Sequence, residues 1–359
     1  MNFSHKIGKR LKNYTVKRLE CNPYYLSAKS SCRLLFQQRK EYYIFNYPLL
    51  VVSGLQRSGT HLVENLFKNH PKILSYYREL QIGKPNKYYW PDLQNETNAG
   101  KRFAALIPRN MIKHFLNINA HENFVFDFSY FKKIFLALEK KDGEFNQRET
   151  LNHFFTAYFN AYLNCNHSNF YDEYKYILAT IPGLSIREES IRNFYKDYPD
   201  GKIIVSLRDP YLWWNSARKH TKKLKAHGLE RYRKTLKNTK WASREYENRF
   251  FAFSFDHLIR DTEKSIRSIL KSAELDIAET SMYPSNFPHY ATDNSTFGHK
   301  KTKAVLKDKI ERELDIPEED AIYIKSNIYP LYQEVLKSCT INMEGNENNN
   351  SAPQPLQVT

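Results

Sequence analysis

The chain has 359 residues, of which 41% are apolar, enough to bury one large core or two smaller ones. Its formal net charge of +16 suggests a polyanionic partner or ligand, and no run of about 18 apolar residues suited to cross a bilayer occurs. Cys21, Cys32, Cys165 and Cys339 are scattered and form no CxxC pair, so neither a disulfide framework nor a zinc site is indicated.

Half of the surplus charge lies in residues 1–41, where ten Lys or Arg face only Glu20 and Glu41. This basic leader lacks the apolar core of a secretory signal, and a cytoplasmic location is expected. Ile7, Leu11 and Tyr14 share one helical face, so the leader either lies on an anionic membrane surface, making the protein membrane-peripheral, or is a solvated arm. The run YPLLVVSG, short, continuous and β-branched, predicts a buried strand ending at Gly54. In HLVENLFKNHP the apolar Leu62, Val63, Leu66 and Phe67 recur at helical spacing, and Pro71 closes the segment. ILSYYREL is expected to be a second strand ending near Glu79. Residues 73–175 are dense in Tyr, Phe, Asn and Lys, with helical patches such as ETLNHFFTAYFNAYL.

Further on, ESIRNFYKDYPDG reads as a helix with a Pro-Asp-Gly turn, and KIIVSLR, Lys202 to Arg208, as another buried strand. Asp209 is placed as an N-cap with Pro210 at the first helical position, opening a helix through Trp213 and Ala217 toward Gly228. FFAFSFDHL is a third apolar run, DTEKSIRSILKSA a capped helix, and AVLKDKIERELD and IYPLYQEVLK closing helices. From Glu344 the chain is too polar to fold, giving a tail over 344–359. The alternation predicts an α/β fold, a central parallel sheet flanked by helices, in a single domain over 42–340 with an aromatic-rich insertion at about 81–175.

The stretch SGLQRSGTHLVENLF, Ser53 to Phe67, begins like a nucleoside-triphosphate loop, with Gly54, four residues and Gly59. Thr60 and His61 replace the lysine that neutralises outer phosphates and the hydroxyl that holds magnesium, which argues against an ordinary ATPase or kinase. What remains is an anion cradle: backbone N–H groups around Ser58, Gly59 and Thr60 at a helix start, with Arg57 as the strong cation. The competing reading is a plain strand-to-helix turn.

The motif Arg57-Ser58-Gly59-Thr60-His61, followed by Asn69-His70-Pro71, resembles the sulfotransferases that use 3′-phosphoadenosine 5′-phosphosulfate (PAPS). Two departures stand out: Gln56 where proline is usual, and His61 where a second threonine is usual. The family pattern of a strand, Arg-Asp-Pro and a serine eight residues after the arginine recurs in KIIVSLRDPYLWWNSAR, giving Arg208 and Ser216. Weaker echoes, ILATIPGL, SFDHLIRDTEKSI and DNSTFGHKKTK, extend the resemblance over residues 45–335. In the last, Asn294 and Ser295 resemble the family's Asn-Ser element, and Lys300, Lys301 and Lys303 form either a basic lid over the nucleotide or a solvated loop.

The resemblance implies a P-loop-containing nucleotide-binding (sulfotransferase) fold, PAPS as donor and no metal. Arg57, Ser58, Gly59, Thr60, His61, Arg208, Ser216, Lys300 and Lys301 would bind the donor, with Arg57 also stabilising charge as the sulfur–oxygen bond breaks. Glu79 is the expected base, because members acting on glycans or protein tyrosines often carry a glutamate there; the competing reading is a surface carboxylate paired with Arg78. His61, His114 and His153 are the reserves. The same likeness implies a carbohydrate or lipid-linked glycan acceptor. Tyr88, Tyr89, Trp90, Phe154 and Tyr158 either stack on its sugar rings or belong to the core. A degenerate P-loop kinase or NTPase and a non-catalytic basic glycan- or nucleic-acid-binding protein are the rivals. No nucleic-acid-binding motif is visible, so no nucleic-acid partner is expected.

Overall fold

A computed structural model describes residues 42–68, 70–83, 87–107, 126–139, 145–161, 174–220, 222–278, 281 and 314–339. The basic leader, His114, the elements around Asn294 to Lys303 and the polar tail lie outside the described residues. Those described divide between two compact units. One draws on Pro48–Leu80, Tyr88–Trp90 and Glu173–Thr359, the other on Met1–Tyr47, Gln81–Lys87 and Pro91–Asp172.

The first unit is built on a five-stranded parallel sheet: β1 (Leu49–Ser53), β2 (Ile73–Glu79), β3 (Tyr176–Thr180), β4 (Lys202–Leu207) and β5 (Phe250–Ser254), in the order β2-β3-β1-β4-β5. Every residue of β1, β3 and β4 is buried. Such strands need helices on both faces, and their apolar runs are accordingly continuous rather than alternating. β3 is the strand that sequence periodicity did not single out. It is five residues long, carries Ala179 and Thr180, and is recognisable only through its neighbours.

Register decides what the sheet presents. Val52 pairs with Thr180, Ser53 with Val205, Leu207 with Ser254, and Glu79 with Thr180 after an irregularity beyond Ser75. All five strands therefore end along one edge, where open α/β sheets carry their ligands. Helix α1 (Thr60–Phe67) follows β1 and buries Leu62, Val63, Leu66 and Phe67 against Leu50, Val52, Ile204 and Phe253. The helices that follow in the chain are α2 (Ala99–Leu106), α3 (Phe128–Leu138), α4 (Gln147–Asn160), α5 (Glu188–Asp197), α6 (Pro210–Ala217), α7 (Lys222–Glu245), α8 (Phe255–Arg260), α9 (Thr262–Ser272), α10 (Glu318–Tyr323) and α11 (Tyr329–Cys339). Helix α9 adds Ile266, Ile269 and Leu270 to the same core.

The helix expected to run from Asp209 toward Gly228 is two helices. α6 ends at Ala217, and Gly228 lies inside α7. A Cβ at Gly228 would stand 2.5 Å from the Trp214 ring and 3.3 Å from Trp213, so glycine is required by close approach rather than as a helix stop.

In the second unit α3 and α4 pack with α2 through a cluster of rings. Phe131 lies edge-on to Phe154 at 5.5 Å, and Phe103 sits 5.3 Å from Phe135. Phe154 and Tyr158 are fully buried in this cluster, so they are core residues and cannot stack on a sugar. Trp90, in the first unit, is likewise buried, edge-on to Phe194 with its indole N–H on Asp197 at 2.6 Å. His153 bonds Glu139 through Nδ1 at 2.7 Å, and Arg102 bonds the other carboxylate oxygen at 2.6 Å. Burial disfavours the Glu139 carboxylate, but these two donors outweigh it and hold its pKa below the usual range. That pairing gives His153 a structural role in its own unit.

Candidate active site

The loop after β1 is shaped by conformations that its sequence makes costly to alter. Gly54 has φ +147, and a Cβ there would meet the Ser206 carbonyl oxygen at 2.8 Å. Gly59 has φ +86 and caps α1; a Cβ there would lie 1.9 Å from the Phe255 ring. Arg57 takes a left-handed φ of 77, a strained setting for a side-chain-bearing residue and one that clusters at functional sites. Ser58 locks the turn, its N–H and hydroxyl both reaching the Leu55 carbonyl at 3.1 and 2.6 Å, while Ser206 Oγ donates to the Ser58 carbonyl at 2.6 Å.

Within α1 the N–H groups of Leu62 and Val63 bond the Gly59 carbonyl. Among the described residues no backbone acceptor takes the N–H groups of Gly59, Thr60 or His61. These are the donors that a helix start offers to an anion.

The two arginines predicted from separate motifs converge. Arg57 Nε donates to Ser216 Oγ at 3.0 Å, and Arg208 Nη1 donates to the Arg57 carbonyl at 3.1 Å. Residues 151 apart in the chain thus form one cationic group at the ends of β1 and β4. Arg208 also lies 5.6 Å from the centre of the Phe255 ring, and its carbonyl accepts the Tyr232 hydroxyl. Asp209 caps α6 as expected, accepting Tyr211 and Leu212 N–H at 2.8 and 3.0 Å. Asp256 takes the Asp209 N–H at 2.6 Å. Burial raises the pKa of both carboxyls, Asp209 to about 6, with the charge of Asp256 adding to the effect on Asp209.

On the other side of the loop stands Glu79, the last residue of β2, with its side chain 18% exposed. His61 Nε2 is 3.4 Å from Glu79 Oε1, and His61 Nδ1 is 3.3 Å from Glu64 Oε2. Burial opposes charging of His61, but hydrogen bonds and attraction from Glu64 and Glu79 overcome it and push its pKa up to about 10. Half of the ring is open to water, which tempers the shift without reversing it. Glu64 is buried. Burial works against its charge, yet Lys68 at 2.7 Å and His61 bring its pKa down to about 2.

Tyr88 bonds both Glu79 and Gln56 through its hydroxyl, and burial followed by the Glu79 charge pushes its pKa up to about 12. The carbonyl of Gln56, which stands where the resemblance leads one to expect proline, accepts Trp213 Nε1 at 2.9 Å. That position therefore ties the loop to α6 through its backbone and to Tyr88 through its side chain. Tyr89 is covered by the Arg187 guanidinium at 4.2 Å.

The structure thus gathers Arg57, Ser58, Gly59, Thr60, His61, Glu79, Arg208 and Ser216 along one sheet edge. Lys300 and Lys301 lie outside the described residues. Sequence reasoning missed Tyr88 as a partner of Glu79, and it missed Phe255 and Asp256, which fix Gly59 and Asp209. The landmark SFDHLIRDTEKSI contained the last two without indicating what they touch. No cluster able to hold a metal ion occurs among the described residues. Also among them, no helix is long and apolar enough to cross a membrane.

A family model described as the sulfotransferase family matches residues 48–279. Among solved structures, the chain is similar to the sulfotransferase domain from the Synechococcus PCC 7002 olefin synthase, at 14% identity over 80% of this chain and 96% of that one, with a TM-score of 0.44. A sulfotransferase from Alicyclobacillus acidocaldarius gives 13% identity over 82% and 97% of the two chains, TM-score 0.43. Sulfotransferase STF9 from Mycobacterium avium gives 15% over 84% and 79%, TM-score 0.38. Likenesses this distant carry no functional argument. No curated protein matches the sequence.

Proposed function

The chain belongs to the sulfotransferase family, and from that premise we propose that it moves a sulfuryl group from PAPS to a hydroxyl of a carbohydrate or lipid-linked glycan acceptor. The observation that carries the choice of donor is the convergence of Arg57, Ser216 and Arg208, which gives a doubly phosphorylated nucleotide two cations and a hydroxyl at one sheet edge. The fit is supported by the loop itself: a Cβ at Gly54 or Gly59 has no room, and among the described residues the first N–H groups of α1 have no backbone acceptor. PAPS, when bound, supplies a sulfuryl group joined to a phosphate leaving group.

This chain's residues then have separable tasks. The N–H groups of Gly59, Thr60 and His61 hold the phosphosulfate end, and Ser58 keeps the turn closed. Arg57 offsets negative charge that grows on the leaving phosphate oxygen; it is too weak an acid to give up a proton, so its effect is electrostatic. Arg208 and Ser216 hold the second phosphate. Glu79 takes the acceptor hydroxyl's proton as the oxygen–sulfur bond forms and the sulfur–oxygen bond to phosphate breaks, with the electron pair leaving on the phosphate. Lys300 and Lys301 are further donor-binding residues in this reading. The half-buried Tyr88 beside Glu79, with the half-buried Tyr89 next to it in the chain, supports a ring-bearing acceptor such as a sugar.

Thermal-shift measurements with adenosine 3′,5′-bisphosphate, ATP plus magnesium, and duplex DNA test the reading. A ligand at 100 times its dissociation constant adds about 2.7 kcal/mol of native-state stability, on the order of 5 °C for a domain of this size. The bisphosphate alone is expected to give that shift. A shift with ATP and magnesium but not with the bisphosphate would favour the degenerate kinase instead.

A further inference from the structure

We infer that His61 is the positioning residue for the base: the buried Glu64, paired with Lys68, anchors its Nδ1, and its Nε2 fixes the Glu79 carboxylate. The inference rests on the reading of Glu79 as the group that takes the acceptor proton.

His61 is the second residue of α1, where the positive end of a helix disfavours a cation, so a charged imidazole there needs compensation from outside the backbone. Two carboxylates supply it. Glu64 lies one turn along α1, 1% exposed, and divides its oxygens between Lys68 Nζ at 2.7 Å and His61 Nδ1 at 3.3 Å. With Nδ1 engaged in this way, Nε2 is the nitrogen left to face Glu79 Oε1 at 3.4 Å. The titratable groups facing the ring are therefore Glu64, with Lys68 behind it, from α1, and Glu79, with Tyr88 beyond it, around the end of β2.

Tyr88 gives Glu79 a second hydrogen bond. Two donors from different segments hold a carboxylate's plane far better than one, and a base must be held close to its productive geometry for proton transfer to be efficient. A threonine at this position could offer its hydroxyl to a phosphate but is too short to span from Glu64 to Glu79. The histidine thus exchanges a donor-binding hydroxyl for a link between the nucleotide loop and the base. Its backbone N–H remains part of the cradle.

The test uses the full-length protein with carbon-13-labelled histidine, the His61 signal being assigned by its loss in His61→Gln. In the wild type the ring is expected to stay protonated through about pH 8, and Glu79→Gln is expected to lower its midpoint by about one unit or more. An unchanged midpoint in Glu79→Gln would overturn the pairing. Binding of adenosine 3′,5′-bisphosphate by calorimetry and slow transfer to water, read as bisphosphate release from PAPS, give the functional arm. His61→Thr is expected to lose no more than about twofold in bisphosphate affinity while slowing release about tenfold or more, and His61→Gln, which retains a neutral donor, to recover most of the rate.

A tenfold loss of bisphosphate affinity in both variants would instead make His61 a donor-binding side chain and end the proposal. So would an unaltered release rate in His61→Thr. If the wild type fails to bind the bisphosphate, the donor reading falls by itself, because the ring titration decides the His61–Glu79 pairing without any nucleotide.

Discussion

Replacing Gly59 by alanine tests whether the loop geometry is imposed by a distant segment. Two costs apply. An L-residue at φ +86 pays about 1–2 kcal/mol for the left-handed backbone, and a Cβ 1.9 Å from the Phe255 ring forces an overpacked contact worth about 1–3 kcal/mol more. Gly59→Ala is therefore expected to destabilise the protein by about 2–5 kcal/mol. Phe255→Ala alone should cost about 3–5 kcal/mol, the usual range for emptying a buried phenylalanine site. In the double variant the ring is gone and only the backbone cost of the Gly59→Ala change persists. The sum of the single effects should then exceed the double effect by about 1–3 kcal/mol. Loss of the Arg208–Phe255 contact is common to both variants lacking the ring and cancels in the cycle. Urea unfolding of the four proteins, with m-values compared to confirm a common unfolded state, supplies the numbers. Additivity to within about 0.5 kcal/mol would refute the claim that Phe255 sets the space at Gly59.

Arg208→Ala should weaken binding of adenosine 3′,5′-bisphosphate about 10- to 100-fold, the worth of a charge-assisted hydrogen bond; unchanged affinity by calorimetry would remove Arg208 from the donor site. Glu79→Gln should reduce transfer about 100-fold or more while leaving that affinity nearly intact, and near-normal turnover would discard Glu79 as the base. Asp209 carries a pH signature. Its carboxyl titrates at about 6 when folded against 3.8 in the free residue, so between those values the native state binds more protons, and its contribution to stability, present below about pH 4, is lost as pH rises through 6. Asp209→Asn keeps an N-cap side chain and removes the titration, so the variant should gain on the wild type by about 2–3 kcal/mol between about pH 4 and 6.5. Parallel pH dependence of their urea midpoints would contradict the buried-carboxyl account.

Much of this site could be read directly along the chain because each half of it is contiguous. The loop Arg57-Ser58-Gly59-Thr60-His61 and the run Arg208-Asp209-Pro210 through Ser216 each sit at a strand-to-helix corner, where one local turn fixes every residue involved. Glu79 was legible as a strand end, and the structure ends β2 there. The aromatic residues were not legible in the same way. Tyr88 and Trp90 lie two positions apart in one segment, yet Tyr88 bonds Glu79 while Trp90 is buried edge-on to Phe194. Tyrosine and tryptophan suit either role, and only what packs around them chooses. The break between α6 and α7 was hidden for a related reason, since Gly228 reads as a helix stop until Trp214 is seen against it.

Spacing, capping and β-branched runs act over a few residues, and they suffice to locate the two strand-to-helix corners, their order and the strands that precede them. Tertiary structure decided that the corners meet, with Arg208 on the Arg57 carbonyl and Arg57 on Ser216, and that His61 faces Glu79 rather than solvent alone. Register explains this: parallel pairing sets Val52 of β1 beside Thr180 of β3 and Ser53 beside Val205 of β4, so the ends of the three strands fall close together, and that alignment is a property of the sheet, absent from any one segment.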